Sequence, residues 1–348
     1  MTRPDLNCIH EPFGDAFYFG PERLSARYAD DEQAREESGF SDVTFGTVVN
    51  QLKEEMAKVC LSCCFLVFII PICFALRGGY VLGVDGGWRA STGRWGRDTS
   101  VSRAPDLGGH CLHCELHHQN WPLDFRRHSI FEGTKLTKPQ GKRVFIKDII
   151  HYLFPPNSAP AEIAPSLRDE DNDSHSANGA NGANGATPKN PTVIPKSILR
   201  QFHFTFLIRH PRRAIPSYYR CTVPPLDAVT GFYNFLPSEA GYDEVRRTFD
   251  YLRSARLIGP RLAGDPSPLS PDEVSITVVD ADDLLNRPAE AIRAYCREVG
   301  LDFSEEMLKW EDEESQQRAK EAFEKWNGFH DDAIGSTSLK PRAHAMVC

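Results

Sequence analysis

The stretch FHFTFLIRHPRRAIPSYYR, residues 202–220, decides the fold. Phe202, Phe204, Phe206 and Ile208 alternate, which is the period of a strand with one face in a core. The apolar run stops at Arg209. His210 and Pro211 break the pattern, because Pro fixes φ and removes a donor. Ser217, Tyr218, Tyr219 and Arg220 then follow at helical spacing. Pro216 costs about 3 kcal/mol inside a helix, so a late helix start or a kink is expected there. A strand that ends in Arg and turns into a helix suits a phosphate. The guanidinium offers a donor fork, and the helix start adds free N–H groups and a positive dipole end. The same residues also fit a surface turn whose basic side chains face water.

The stretch resembles the 3′-phosphate-binding segment of the sulfotransferases, which use 3′-phosphoadenosine 5′-phosphosulfate (PAPS) as donor. Arg209, Pro211 and Ser217 stand at that family's spacing, and Tyr218 and Tyr219 continue the match. The resemblance implies that Arg209 and Ser217 hold the 3′-phosphate. His210 stands where Asn is common. A rival signature, the Arg-His-Gly of histidine phosphatases, fails because Pro211 replaces the Gly.

Two further strands read on either side. RVFIK, residues 143–147, has a continuous apolar run at Val144, Phe145 and Ile146, which predicts burial on both faces. The family commonly ends this strand in Lys-Thr-His, with the His as base for the acceptor hydroxyl. Lys147 fits the Lys, but Ile149 occupies the His position. His151 is the nearest replacement, with Asp148 to orient it, and a His has a suitable pKa for a base. A packing role beside Tyr152 fits the same His. VSITVV, residues 274–279, is the third strand. Asp282, Asp283, Leu284 and Pro288 resemble the family's segment after it, with a helix over 289–299 and Gly300 just past its end. Those carboxylates are read as structural, with capping as one use.

The three strands, each followed by helix, predict an α/β fold with a parallel sheet and helices on both faces, with nucleotide at the carboxyl ends of the strands. The resemblance implies a three-layer sandwich of the P-loop, sulfotransferase-like type. It also implies a first strand and a loop for the 5′-phosphosulfate before residue 7, which the sequence lacks. The expected reading is an N-terminally truncated member of the family, in its fungal form. Activity is then sulfuryl transfer to a hydroxyl of a small molecule, with PAPS as co-substrate and no metal. The alternative is an impaired nucleotide-binding homologue. His10, Glu11 and Pro12, with Phe17, Tyr18 and Phe19, read as a loop that lines an acceptor pocket or packs as an aromatic cluster.

Composition limits the partners. The formal net charge is −8, which argues against nucleic acid. Apolar residues make up 41%, as in an ordinary globular protein. No apolar signal segment follows Met1. The ten cysteines lack a disulfide framework pattern, which points to a reducing, cytoplasmic compartment. Oligomeric state is not legible.

Organisation is read as follows. Residues 1–58 begin the domain, with a core-facing helix through Phe45, Val48, Val49, Leu52 and Met56 that starts near Ser41. Residues 59–139 are an insertion. Its opening run, VCLSCCFLVFIIPICFAL over 59–76, would span about 27 Å as a helix, just under a hydrocarbon core of about 30 Å. It is a single-pass membrane candidate or the start of a retained intron, since Val59-Cys60 can be encoded by a GTATGT splice signal. Residues 78–131 show neither helix nor strand period. The His110–Cys114 cluster has half the spacing of a zinc site and no second half. Residues 140–154 return to the core. Residues 155–196 read as a low-complexity, disordered linker, and 197–342 complete the domain. Without 59–139 and 157–196, roughly 230 residues remain, enough for one domain. Lys340 and Arg342 are weak candidates for a late phosphate loop, with a solvated tail as the other reading.

Overall fold

The computed structural model describes residues 6–58, 64–69, 80–82, 88–90, 143–156, 159–170, 188–267 and 273–340. The strands among them are β1 (Leu6–His10), β2 (Cys64–Ile69), β3 (Tyr80–Leu82), β4 (Trp88–Ala90), β5 (Arg143–Asp148), β6 (His203–Ile208) and β7 (Thr277–Asp280). Five of them form a parallel sheet in the order β1-β5-β2-β6-β7. β3 and β4 pair antiparallel with each other, in a region that shows no strand period in the sequence. The protein is therefore mixed α/β, built on a parallel sheet.

Strand β6 behaves as its alternation predicts. Phe204, Phe206 and Ile208 are buried, with Phe202 just before the strand. Thr205, on the opposite face, is buried as well. Strand β5 differs from expectation. It buries one face fully through Val144, Ile146 and Asp148, while Phe145 and Lys147 are only half-buried. Its other face opens onto a cavity, so the continuous apolar run does not mean two packed faces.

Strand β2 corrects the reading of 59–76. Cys64–Ile69 lies in the sheet, with Phe65 opposite Phe145 of β5 and His203 of β6. A uniformly apolar run is also what an inner strand of a parallel sheet requires, and a sheet position excludes a membrane-spanning helix over these residues. Among the described residues no helix is long and apolar enough to cross a membrane. The insertion thus contributes a strand to the domain.

The α-helices are α1 (Phe13–Tyr18), α2 (Glu32–Glu37), α3 (Phe45–Ala57), α4 (Lys196–Leu199), α5 (Pro211–Cys221), α6 (Asp227–Thr230), α7 (Tyr242–Ser254), α8 (Ala281–Asn286), α9 (Pro288–Val299), α10 (Glu313–Phe323) and α11 (Asp331–Ile334). Thr44, not Ser41, caps α3, through a reciprocal box with Thr47. α3 buries Phe45, Val48, Val49 and Leu52, as its spacing predicts. Asp280 caps α8 by accepting from the N–H groups of Asp282 and Asp283. Gly300 ends α9 at φ 66°, a left-handed position that glycine adopts without penalty.

Helix α5 starts at Pro211 and carries Pro216 inside it, so no late start occurs. Pro211 needs no N–H at a first helical position, and His210 caps by accepting from Arg212 N at 3.1 Å. The bond that Pro216 cannot make would fall on the carbonyl of Arg212, an exposed residue that water reaches.

The core centres on Phe13, Phe45, Phe204, Ile146 and Ile150, all essentially inaccessible. Each such side chain contributes about 1.5–3 kcal/mol on burial. The flanks of the expected linker join this core: Ala164, Leu167, Val193 and Ile194 are buried. Ser166 donates to Glu22 and accepts from Gly46 N, which ties the segment to α3. Residues 159–170 and 188–196 are therefore part of the domain, and the low-complexity repeat lies outside the described residues.

Candidate functional site

A cavity of about 570 Å³ opens at the carboxyl ends of the sheet strands. His10 and Glu11 reach it from β1, Lys147 and Ile149 from β5, Arg209 from the end of β6, and Ala281 from the end of β7. Ligand sites in open α/β sheets form at these ends, where strand-to-helix turns leave side chains and N–H groups unsheathed. All four candidate residues from the sequence, Lys147, His151, Arg209 and Ser217, line this one cavity. Arg209 and Ser217 are half-buried there. Arg212 and Arg213 point elsewhere: both are exposed, and Arg213 lies 3.3 Å from Asp282.

Lys147 is held by Glu11, which the sequence places in a loop lining an acceptor pocket or packing with aromatics; it sits between the end of β1 and the start of α1. The Lys147 ammonium bonds Glu11 Oε1, and the Glu11 side chain is 2% exposed. Tyr152 donates its hydroxyl to Glu11 Oε2 at 3.0 Å, and Glu11 N donates to the Lys147 carbonyl at 2.6 Å. Burial alone would raise the Glu11 pKa. The Lys147 ammonium, with His330 and His10, more than offsets this and holds the carboxyl well below the usual carboxylate range. Glu11 sits at φ 47°, in the left-handed region and directly before Pro12.

His151 is buried, and its ring meets Phe17 edge-on at 5.0 Å. Asp148 does not orient it. Both Asp148 oxygens accept backbone N–H groups, from Phe13 at 3.0 Å and Ile149 at 2.7 Å, so this carboxyl ties β5 to the start of α1. Burial nonetheless raises its pKa to about 8. The carboxylate that faces His151 is Glu244 of α7, with Oε1 at 3.5 Å from Nδ1.

The opposite wall carries a charge network. Arg27 donates through Nε to Glu239 Oε1 at 2.6 Å and through Nη2 to Oε2 at 2.5 Å. Nη2 also bonds the Tyr218 hydroxyl at 3.0 Å and the Asn234 carbonyl at 2.8 Å. Tyr218 in turn donates to Glu239. Burial, then the Glu239 carboxylate, pushes the Tyr218 pKa far above its usual value, so the phenol stays protonated. Aromatic rings complete the wall. Tyr18 meets Tyr152, Phe232 and Trp326, each at 5.5 Å between centroids.

The C-terminal segment is part of the site rather than a solvated tail. Phe323, Trp326, Phe329 and His330 line the cavity. Lys325 pairs with Asp15 and reaches the Glu11 carbonyl at 3.4 Å. Gly14 makes room for Trp326, since a Cβ there would lie 2.7 Å from the indole. Lys340 is exposed and does not line the cavity, and Arg342 lies outside the described residues. So does the His110–Cys114 cluster.

His10, Glu11 and His330 are the one set among the described residues with the side-chain types and closeness of a metal site, with polar atoms within 4.8 Å of one another. Burial, then the Lys147 charge, lowers the His10 pKa to about 3, so this imidazole is neutral. The Lys147 ammonium already bonds the Glu11 oxygen that such an ion would take. The carboxylate charge is balanced within the chain.

A mixed α/β protein with a largely apolar, aromatic-walled cavity that carries a few charged side chains at its strand ends is the class that this geometry defines. By sequence, the chain is similar to the sulfotransferase ppzF of Metarhizium majus (strain ARSEF 297), with 28% identity over 193 residues, which covers 52% of this chain and 51% of that protein. It is also 28% identical over 186 residues to the sulfotransferase ppzF of Metarhizium rileyi (strain RCEF 4871), with the same shares of each chain. The chain thus spans about half the length of the curated relatives that it matches. This similarity supports a sulfotransferase-like assignment. No family model and no solved structure matches the chain.

Proposed function

We propose that the protein binds PAPS at the strand ends and transfers its sulfuryl group to a hydroxyl of a small molecule, on a three-layer, sulfotransferase-like fold. One observation carries the reading: two local pairs, Lys147 with His151 and Arg209 with Ser217, distant from each other in sequence, line a single cavity. Similarity to two proteins named sulfotransferases points the same way.

Arg209 and Ser217 grip the 3′-phosphate, a fork and a hydroxyl on one anion. The acceptor lies against Tyr18, Tyr152 and Trp326, which favours a flat, largely apolar molecule. In the transfer step the acceptor oxygen forms a bond to sulfur as the bond from sulfur to the 5′-phosphate oxygen breaks. His151 takes the hydroxyl proton, with Glu244 facing its Nδ1 to balance the charge that develops. The Lys147 ammonium stabilises the oxygens of the transferring group, the kind of fixed charge on which such reactions chiefly depend. The products are a sulfate ester and 3′,5′-adenosine bisphosphate.

Calorimetry with 3′,5′-adenosine bisphosphate and with adenosine 5′-phosphate tests the reading. Binding of the bisphosphate at least tenfold tighter supports it. Equal affinity, or no binding of either, overturns it.

A further inference from the structure

We propose that Glu11 is a positioning residue for Lys147, clamping its ammonium at the cavity mouth of β5, and that this clamp is required for the transfer chemistry. The proposal rests on the reading of Lys147 as a group at the transfer site.

Every polar atom of Glu11 is committed, and both carboxylate oxygens bond residues that line the cavity. Oε1 bonds the Lys147 ammonium, and Oε2 accepts from Tyr152 at 3.0 Å. The Glu11 N–H donates to the Lys147 carbonyl at 2.6 Å, which extends the β1–β5 ladder one residue past His10. Its carbonyl accepts from Gly14 N at 3.3 Å and Lys325 Nζ at 3.4 Å. His10 and His330 hold their Nε2 atoms 3.6 and 3.7 Å from Oε1.

The backbone shows that this arrangement is imposed. A glutamate at φ 47° occupies a region that side chains with a Cβ disfavour. Strain of this kind persists only where the surroundings over-determine it, and it concentrates at functional sites. The turned backbone puts the carboxylate on the cavity side of the sheet, where Lys147 emerges. Lys147 has a long, flexible stem, and a fixed carboxylate is what gives its charge one position.

The test uses Glu11→Gln, which keeps the shape and one acceptor oxygen and removes the charge. Glu11→Asn, an amide that tolerates positive φ, replaces it where the first variant is unstable. Acylation of lysines at a fixed pH, read by mass spectrometry, reports the clamp without reference to any activity. Labelling of Lys147 is expected to rise about tenfold in the variant, with Lys53, paired to Glu170, unchanged. Release of 3′,5′-adenosine bisphosphate from PAPS is expected to fall about 100-fold, the size typical of one lost charge-stabilising contact. Affinity for the bisphosphate should stay within about twofold, and Glu11→Gln with Lys147→Met should be no slower than Lys147→Met alone. Unchanged Lys147 labelling overturns the clamp. Full transfer activity with raised labelling, or losses that multiply in the double variant, overturns its catalytic role. If the wild-type protein neither binds nor releases the nucleotide, the proposed function fails, and the labelling still decides whether Glu11 holds Lys147.

Discussion

Replacing Glu239 by Gln strikes the most enclosed charge pair in the cavity wall. The Arg27 and Glu239 side chains are each 6% exposed, with two bonds at 2.6 and 2.5 Å between them. Without the carboxylate, the guanidinium keeps its bonds to Asn234 and Tyr218 and its place 4.0 Å over the Phe232 ring, but not its counter-charge. An uncompensated buried charge of this kind costs about 3–5 kcal/mol. Arg27→Met leaves the carboxylate with only the Tyr218 hydroxyl and should cost a similar amount. The double variant has no buried charge at this site. Its remaining losses are the Asn234 carbonyl and the Phe232 contact, each worth about 1 kcal/mol. It should therefore be no less stable than either single variant, with a coupling of about 3 kcal/mol or more. Urea unfolding of the four proteins, with the denaturant slope checked for constancy, measures this. Single effects below about 1 kcal/mol, or a double effect equal to the sum, would refute the reasoning.

Three smaller predictions follow from single residues. Asp148 has a folded pKa of about 8 against 3.8 for an exposed carboxyl, so the folded chain keeps that proton longer than the unfolded chain does. Its stabilising contribution is complete below about pH 4 and is lost as pH rises to about 8, by several kcal/mol across that window. Unfolding titrations at pH 5 and 9 should show this slope in the wild type and a flatter one in Asp148→Asn; equal slopes would contradict it. Pro216→Ala restores a donor to the Arg212 carbonyl and should raise stability by about 1 kcal/mol in thermal unfolding. Gly300→Ala meets no neighbour within 4 Å but keeps φ at 66°, so it should cost about 1 kcal/mol through backbone conformation alone.

What the sequence discloses follows the range of its interactions. Phe204, Phe206 and Ile208 announce their strand because alternation is local. Gly300 marks a helix end for the same reason, whereas the cap of α8 falls on Asp280 rather than on Asp282 or Asp283. Strand β2 escapes because an inner parallel strand and a membrane span share one composition, and only the neighbours β5 and β6 tell them apart. Glu11 escapes because a positive φ leaves no periodic trace. Its neighbours His10 and Pro12 flag a loop and nothing more. Arg27 and Glu239 meet across a long separation in sequence, which no spacing rule connects. Trp326 and His330 read as tail residues because their partners, Tyr18 and His10, lie at the other end of the chain. Arg209 and Ser217 are close in sequence, one at the end of β6 and the other inside α5, so their place on one cavity follows from a local strand-to-helix connection.

The grip of Arg209 on a nucleotide phosphate is the claim on which the rest depends. Titrating 3′,5′-adenosine bisphosphate into the wild-type protein and into Arg209→Ala measures it directly. Loss of a charge-assisted bond worth about 1.5–3 kcal/mol should weaken binding by about 10- to 100-fold in the variant. Equal affinity in the two proteins would contradict the account.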